Sequence, residues 1–333
     1  MDKEESRLLG IVDRFAGRKV AVWGDFILDE YLYGRTRRIS REAPVLIISY
    51  ERAEFSLGGA GNSVLNLEAL GASPLPIGVV GRDEPGRKIV DFLRGRSIST
   101  RWLVRSSAHQ TPIKMRVLAG EENTRKQQVL RIDKESAVPG LDGLKRKLRA
   151  VLIEASSRCA ALIVSDYNYM TVTTDVYAGV LPFFRQRTLP LTLDSRFRLL
   201  QFSGMTAATP NEPEVEEALK VGLGDNPAAL RQTGAALLRR LRSPAVLITR
   251  GSRGLALFEK GRAPFLLPVH GSTDIVDVTG AGDTVISVFT LALACGAGFK
   301  DAARLANIAG GIVVMKKGTA TLTAQELRHA ISS

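Results

Sequence analysis

Short runs of β-branched and aliphatic residues alternate with segments of helical period along most of this chain. "KVAVWGD" (19–25), "SPLPIGVVG" (73–81), "CAALIVSDY" (159–167), "PLTLDSR" (190–196), "GMTAATPN" (204–211) and "PAVLITRG" (244–251) are mostly apolar and bounded by turn formers, as strands buried on both faces are. Between them, "SLGGAGNSVLNLEALGA" (56–72) sets Val64, Leu67 and Leu70 on one side of a helix, with Gly71 as its stop. "VISVFTLALA" (285–294) is too apolar for an exposed helix. The alternation predicts an α/β fold with a mainly parallel sheet and helices on both faces. Several strands end on polar residues: Asp25, Asp166, Asp194, Asn211, and Thr249 with Arg250. Open α/β sheets bind ligands outside the carboxyl ends of their strands, so these residues are expected to face one crevice.

Two segments break the rhythm. Residues 31–55 and 111–133 mix β-branched residues with charges and read as twisted antiparallel ribbons, the second turning near "AGEEN". They predict a small lid inserted in a single domain spanning 1–333, with "KESAVPGLDG" (134–143) returning the chain to the next helix.

Composition narrows the class. A hydrophobic fraction of 45% and a charged fraction of 24% fit an ordinary soluble globular chain, and no apolar run reaches membrane-span length. The opening "MDKEESRLLG" lacks a signal-peptide core, and Cys159 and Cys295 form neither a disulfide framework nor a metal spacing, so a cytoplasmic setting is expected. The net charge of +12 raises nucleic-acid binding, but the basic residues are dispersed and the densest stretch, 82–105, has only Phe92 and Trp102 as aromatics. Neither a nucleic-acid nor a membrane partner is expected; steering of phosphorylated small molecules suits the same charge.

The candidate chemistry lies in glycine-rich turns. In "DVTGAGDT" (277–284) a Gly-Ala-Gly turn opens the apolar helix, so its unpaired N–H groups make a phosphate-sized hole with Asp283 at the edge; a plain capped turn reads equally well. Gly58 and Gly59 let a ligand approach the backbone, and Asn62 caps the helix or binds hydroxyls. "TPNEPE" (209–214) offers Asn211 and Glu214 to a hydrated magnesium ion, or starts a helix with acids in its first turn. "TRGSRG" (249–254) is an anion-contacting turn or a hairpin, and "ANIAGGIVVMKKGTA" (306–320) a small-residue face for a flat ligand or for packing. Dinucleotide spacing fails at both glycine sites, because Val64 and Val285 stand where a small residue is needed, and the chain has no G-x-x-x-x-G-K-[ST] loop. His109, His270 and His329 support no triad.

Taken in order, the glycine pair at 58–59, "GRDEPG" (81–86), "TPNEPE", "TRGSRG" and "DVTGAGDT" resemble the ribokinase-like carbohydrate kinases of the phosphofructokinase-B type over residues 19–330. Within that family "GDFILDEYLYGRTRRISREAPV", "RKQQVLRID" and the 306–320 segment resemble the heptose 7-phosphate kinases of ADP-heptose synthesis. The resemblance implies ATP-dependent phosphorylation of a sugar or sugar phosphate, with Mg2+ as cofactor and K+ as a further candidate. It implies Asp283 as the base, with the N–H groups of Gly280, Ala281 and Gly282 stabilising the transferring phosphoryl group. Asp25, Gly58, Gly59 and Asn62 would bind sugar; Asn211, Glu214, Thr249, Gly251 and Asn307 would serve Mg-ATP; Asp277 and Thr279 would hold a monovalent cation. The subgroup's "DYGKG" is "DYNYM" here (166–170), its "DPK" is "DSR" (194–196) and its "HQQ" histidine is Lys126; Arg196 or Lys126 is the expected replacement for the missing lysine charge. The sequence holds no H-x-G-H nucleotidyltransferase motif. A kinase for another sugar or nucleoside, and a sensor that kept the pocket without turnover, are the alternatives. A homodimer through the lid edges, which carry runs such as "VLIISY", is also expected.

Overall fold

A computed structural model of the chain describes residues 2–121, 126–135, 142–224, 226–271 and 276–333. Its strands are β1 (Lys19–Gly24), β2 (Phe26–Ile39), β3 (Leu46–Gly59), β4 (Ser73–Gly81), β5 (Leu103–Ser106), β6 (Ile113–Gly120), β7 (Gln127–Lys134), β8 (Ala161–Asp166), β9 (Leu191–Ser195), β10 (Ala207–Ala208), β11 (Ala245–Thr249), β12 (Leu255–Glu259) and β13 (Phe265–Leu267). The helices are α1 (Lys3–Val12), α2 (Ala60–Ala69), α3 (Glu84–Gly95), α4 (Asp142–Ser156), α5 (Thr174–Gln186), α6 (Glu212–Leu219), α7 (Pro227–Arg240), α8 (Ala281–Ala294), α9 (Phe299–Val313) and α10 (Ala324–Ile331).

Nine strands form the large sheet, in the order β13-β12-β11-β10-β9-β8-β1-β4-β5. It is parallel from β5 to β11, and β12 and β13 add antiparallel at one edge. The period of two along each strand divides the core. In β1, Val20 and Val22 join one apolar cluster while Ala21 and Trp23 join the other; in β8, Ala161 and Ile163 oppose Leu162 and Val164. Helices α1, α2, α8, α9 and α10 cover the first face and α4, α5 and α7 the second. Both faces being covered explains why these strands read as near-continuous apolar runs.

The second sheet has the order β3-β2-β6-β7. Each expected ribbon is an antiparallel hairpin, but the parallel pairing of β2 with β6 fuses them into one four-stranded sheet. The first hairpin also runs beyond the expected 31–55, because β2 starts at Phe26, directly after β1, and β3 ends at Gly59, directly before α2. The lid is therefore rooted at the carboxyl end of the large sheet. The expected turn at "AGEEN" and much of the 134–143 connection lie outside the described residues.

Candidate active site

Two adjoining cavities open where the strands of the large sheet end. The first, about 420 Å³, is polar: Asp166 at the end of β8, Asp194 on β9, Asn211 and Thr249 line it, as expected, together with Glu214, Gly58, Gly59, Thr279, Gly280, Gly282 and Asp283. The second, about 530 Å³, is apolar, with Val269, Val278, Ala281, Val285, Ala306 and Val314 among its walls; Gly251, Asn307, Gly310 and Gly311 also line it. Asn211, Thr249, Val278 and Gly282 belong to both cavities, so one ligand can run from one into the other.

The "GAG" turn stands at this junction. Gly280 has φ +79°, and a Cβ there would lie 2.4 Å from the Asn62 amide, so only glycine fits. It precedes α8, whose first-turn N–H groups have no carbonyl within the helix to bond. The N–H of Ala281 departs from the expectation: it donates to the Val278 carbonyl at 3.2 Å, and Ala281 lines the apolar cavity. Gly282 and Asp283, by position, keep the N–H groups that an anion at the helix start would receive.

Asp283 is buried, and the loss of water raises its carboxyl to about 6. The Asn62 amide donates to one of its oxygens at 2.9 Å and the Tyr167 phenol to the other at 3.1 Å, and both bonds oppose that rise. Asn62 is therefore placed against the candidate base. It is fully buried, neither caps α2 nor lines the cleft, and is held in turn by Asn66.

Asp25 also departs from its expected part. It is buried, and its carboxylate accepts from the N–H groups of Tyr167 (2.9 Å), Tyr169 (3.1 Å) and Thr171 (3.0 Å), which turns it into the loop after β8 and away from the cleft lining. The carboxylate that does face the cleft from this region is Asp29, 3% exposed and paired with Arg116 at 2.7 Å. Gly58 leaves room for it: a Cβ there would meet Asp29 at 2.5 Å.

Four cations line the polar cavity: Lys114, Arg116 and Arg131 from the lid, and Arg196 after β9. Only Arg196 was among the residues expected here. Lys126, the other candidate, pairs with Glu51 and donates to the Gly34 carbonyl, outside the cleft lining. Lys114 is buried, and the contacts of its ammonium among the described residues are the rings of Tyr167 at 4.8 Å and Tyr169 at 6.0 Å. Desolvation lowers its pKa, followed by the neighbouring charge of Arg196.

Asn211 and Glu214 start a helix, as one of the two readings of their segment expects. They form a reciprocal capping box at the start of α6, each side chain accepting from the other's N–H at 2.9 Å, and both line the cleft. Burial raises the carboxyls of Asp194 and Glu214, and the charge of Glu214 raises Asp194 further. Asp194 and Glu214 are oxygen donors of the kind a hydrated magnesium ion takes. The TRGSRG segment links antiparallel β11 and β12, as the hairpin reading expects, and Thr249 and Gly251 line the cavities. Asp277 ties its own loop, accepting from the N–H groups of Thr279 and Gly318 at 2.9 Å each; Thr279 lines the polar cavity and Asp277 lines neither. The side-chain amide of Asn307 donates to the Pro268 carbonyl at 2.7 Å.

This architecture is ribokinase-like. It is similar to Arabidopsis thaliana ribokinase complexed with ribose and ATP (TM-score 0.72, 19% identity, covering 96% of this chain and 99% of that one). It is likewise similar to Escherichia coli phosphofructokinase-2 in complex with fructose-6-phosphate (TM-score 0.75, 16% identity, 95% and 98% covered). The model of the pfkB family of carbohydrate kinases matches residues 18–139 and 179–326. The chain belongs to that family and is a sugar kinase. Among curated proteins it is similar to the bifunctional protein HldE of Geobacter metallireducens, 39% identical over 307 residues, and to that of Caulobacter vibrioides, 38% over 324. These alignments cover 92% and 96% of this chain but 61% and 64% of the relatives, so the chain spans about six-tenths of their length.

Proposed function

We propose that the chain transfers the γ-phosphoryl group of ATP to the anomeric hydroxyl of D-glycero-D-manno-heptose 7-phosphate, a step toward ADP-heptose and the lipopolysaccharide core. The observation that carries this reading is the set of four cations, Lys114, Arg116, Arg131 and Arg196, in the same cavity as Asp283. A substrate with a phosphate remote from its acceptor hydroxyl would be held by such cations and thereby aligned.

In this reading Asp283 takes the proton of the acceptor hydroxyl as the new O–P bond forms and the bond to the departing ADP oxygen breaks. The N–H groups at the start of α8 receive the charge on the phosphoryl oxygens. The apolar cavity takes the adenine, with Thr249, Gly251 and Asn307 on its walls. Magnesium, near Asp194 and Glu214, would neutralise the phosphates. Potassium near Asp277 and Thr279 rests on the family resemblance alone. Closure of the lid would exclude water, whose attack on ATP competes with transfer to the sugar. The free cysteines Cys159 and Cys295 suit a reducing, cytoplasmic setting.

A second reading, a kinase for another sugar phosphate, is favoured by one observation: Tyr169 stands where the subgroup's lysine is expected and presents its ring to Lys114. The test is ADP release with Mg-ATP and potassium, comparing heptose 7-phosphate with heptose, ribose, fructose and fructose 6-phosphate. Preference for heptose 7-phosphate supports the proposal; turnover with an unphosphorylated sugar alone removes it.

A further inference from the structure

The loop 167–171 is built unlike the other loops at the cleft. Asn168 and Met170 both lie in the left-handed region, at φ +65° and +68°, where side chains are strained and glycine is at ease. Around them the backbone points three alternate N–H groups, those of Tyr167, Tyr169 and Thr171, at the Asp25 carboxylate. Asp166 fixes the loop from its other side: it accepts from the Asn168 N–H at 3.1 Å and from the Ser195 hydroxyl at 2.7 Å, and pairs with Arg198. A strained conformation held by two buried carboxylates is over-determined by its surroundings, which asks what the loop delivers. What it delivers is the Tyr167 hydroxyl, 3.1 Å from Asp283.

We propose that Tyr167 is a positioning residue for the phosphoryl-transfer base: its phenol O–H fixes one oxygen of Asp283 while Asn62 fixes the other, and Asp25 holds the loop that presents it. The inference rests on Asp283 acting as the base. With one donor on each oxygen, the carboxylate can neither rotate nor turn toward the lid cations, and each oxygen keeps a lone pair for the acceptor proton. Burial and the nearby Asp283 charge raise the Tyr167 phenol well above 10, so it stays a donor throughout the working range. The charged groups facing Asp283 are Asp29 and Lys114 from the lid and Asp194 from β9; Asn62 and Tyr167 complete its surroundings. Asp29 raises the base and Lys114 lowers it, so the two hydrogen bonds decide how far below its desolvated value it sits. This gives Asp25 a structural task in place of sugar binding.

The experiment compares Tyr167→Phe with the unchanged chain and with Asp283→Asn, using whichever sugar acceptor gives turnover. The isosteric ring keeps the cleft wall. Expected is a fall in kcat of about tenfold, unchanged KM for ATP and for the sugar, and an acidic limb of the kcat profile displaced upward, because a donor that favoured the ionised carboxylate is gone. The substrate phosphates titrate identically for both proteins, so the displacement belongs to the enzyme. Unchanged kcat and limb would overturn the proposal, as would a rise in sugar KM at unchanged kcat, which would make Tyr167 a sugar contact. As a second variant, Met170→Gly, which suits the backbone at φ +68° and keeps the Tyr167 hydroxyl, is expected to retain kcat and the limb. If Asp283→Asn itself retains turnover, the base assignment fails and this inference falls with it; loss of turnover in Asp283→Asn with unchanged kcat and limb in Tyr167→Phe overturns this inference alone.

Discussion

The side-chain amide of Asn62 lies 2.9 Å from the carboxylate of Asp283, across 221 residues of sequence. This bond joins the start of α2, at the root of the lid, to the start of α8, where the proposed mechanism would place the transferring phosphoryl group. It leads directly to a substitution. Asn62→Asp would set a second carboxylate against the base, and two like charges at that distance cannot both be ionised at neutral pH. Turnover at pH 7 is expected to fall by about 10²-fold, with ATP affinity retained and partial recovery at higher pH. Steady-state kinetics from pH 6 to 9 checks this.

The raised pKa of Asp283 makes activity and stability respond oppositely to pH. The base must be ionised, so kcat is expected to fall as pH drops through about 6. A carboxyl raised above its unfolded value binds its proton in the folded chain first, so the stability it contributes is present below the unfolded value near 3.8 and is lost as pH rises through about 6. Asp25, raised to about 6 by burial and by Asp166, acts in the same sense. Melting temperatures between pH 5 and 8 should therefore depend less on pH in Asp283→Asn than in the unchanged chain; equal slopes would contradict the assigned shift.

The cleft cations are expected to separate substrate recognition from chemistry. Arg131 and Arg196 line the cleft without touching Asp283, and Arg131 is anchored by Asp133 at 2.6 Å. Arg196→Ala should raise KM for a phosphorylated sugar at least about tenfold, with KM for ATP unchanged. Residual turnover of the corresponding unphosphorylated sugar should be insensitive to it, which a pair of saturation curves decides.

The outer lid leaves Ile39, Val45, Leu46, Tyr50, Val129, Leu130 and Ile132 exposed, an apolar surface that a second copy of the chain would cover. A dimeric mass by light scattering at micromolar concentration is expected, and Tyr50→Glu should give monomers. A monomeric unchanged chain would contradict the dimer.

The legible parts of the sequence were local. β4 matches its apolar run residue for residue, and Asp283 was marked by glycines immediately before a buried helix. β10 shrank to Ala207–Ala208 within an eight-residue candidate, since Pro210 has no N–H to extend the ladder. The lid half of the site was not legible. Asp29 meets Lys114 in register only because β2 and β6 pair in parallel, and no spacing in the sequence announces that pairing. Asp25 shows a different limit: its place after β1 pointed to the cleft, but the side chain's direction depends on a loop more than 140 residues away.

The central claim is that this cleft transfers a phosphoryl group with Asp283 as the base. Its most direct test is Asp283→Asn, with ATP binding followed by calorimetry and turnover by ADP release. ATP affinity within about twofold of the unchanged chain, with turnover lowered by about 10³-fold, is the expected result. Retained turnover, or loss of binding together with turnover, would contradict it.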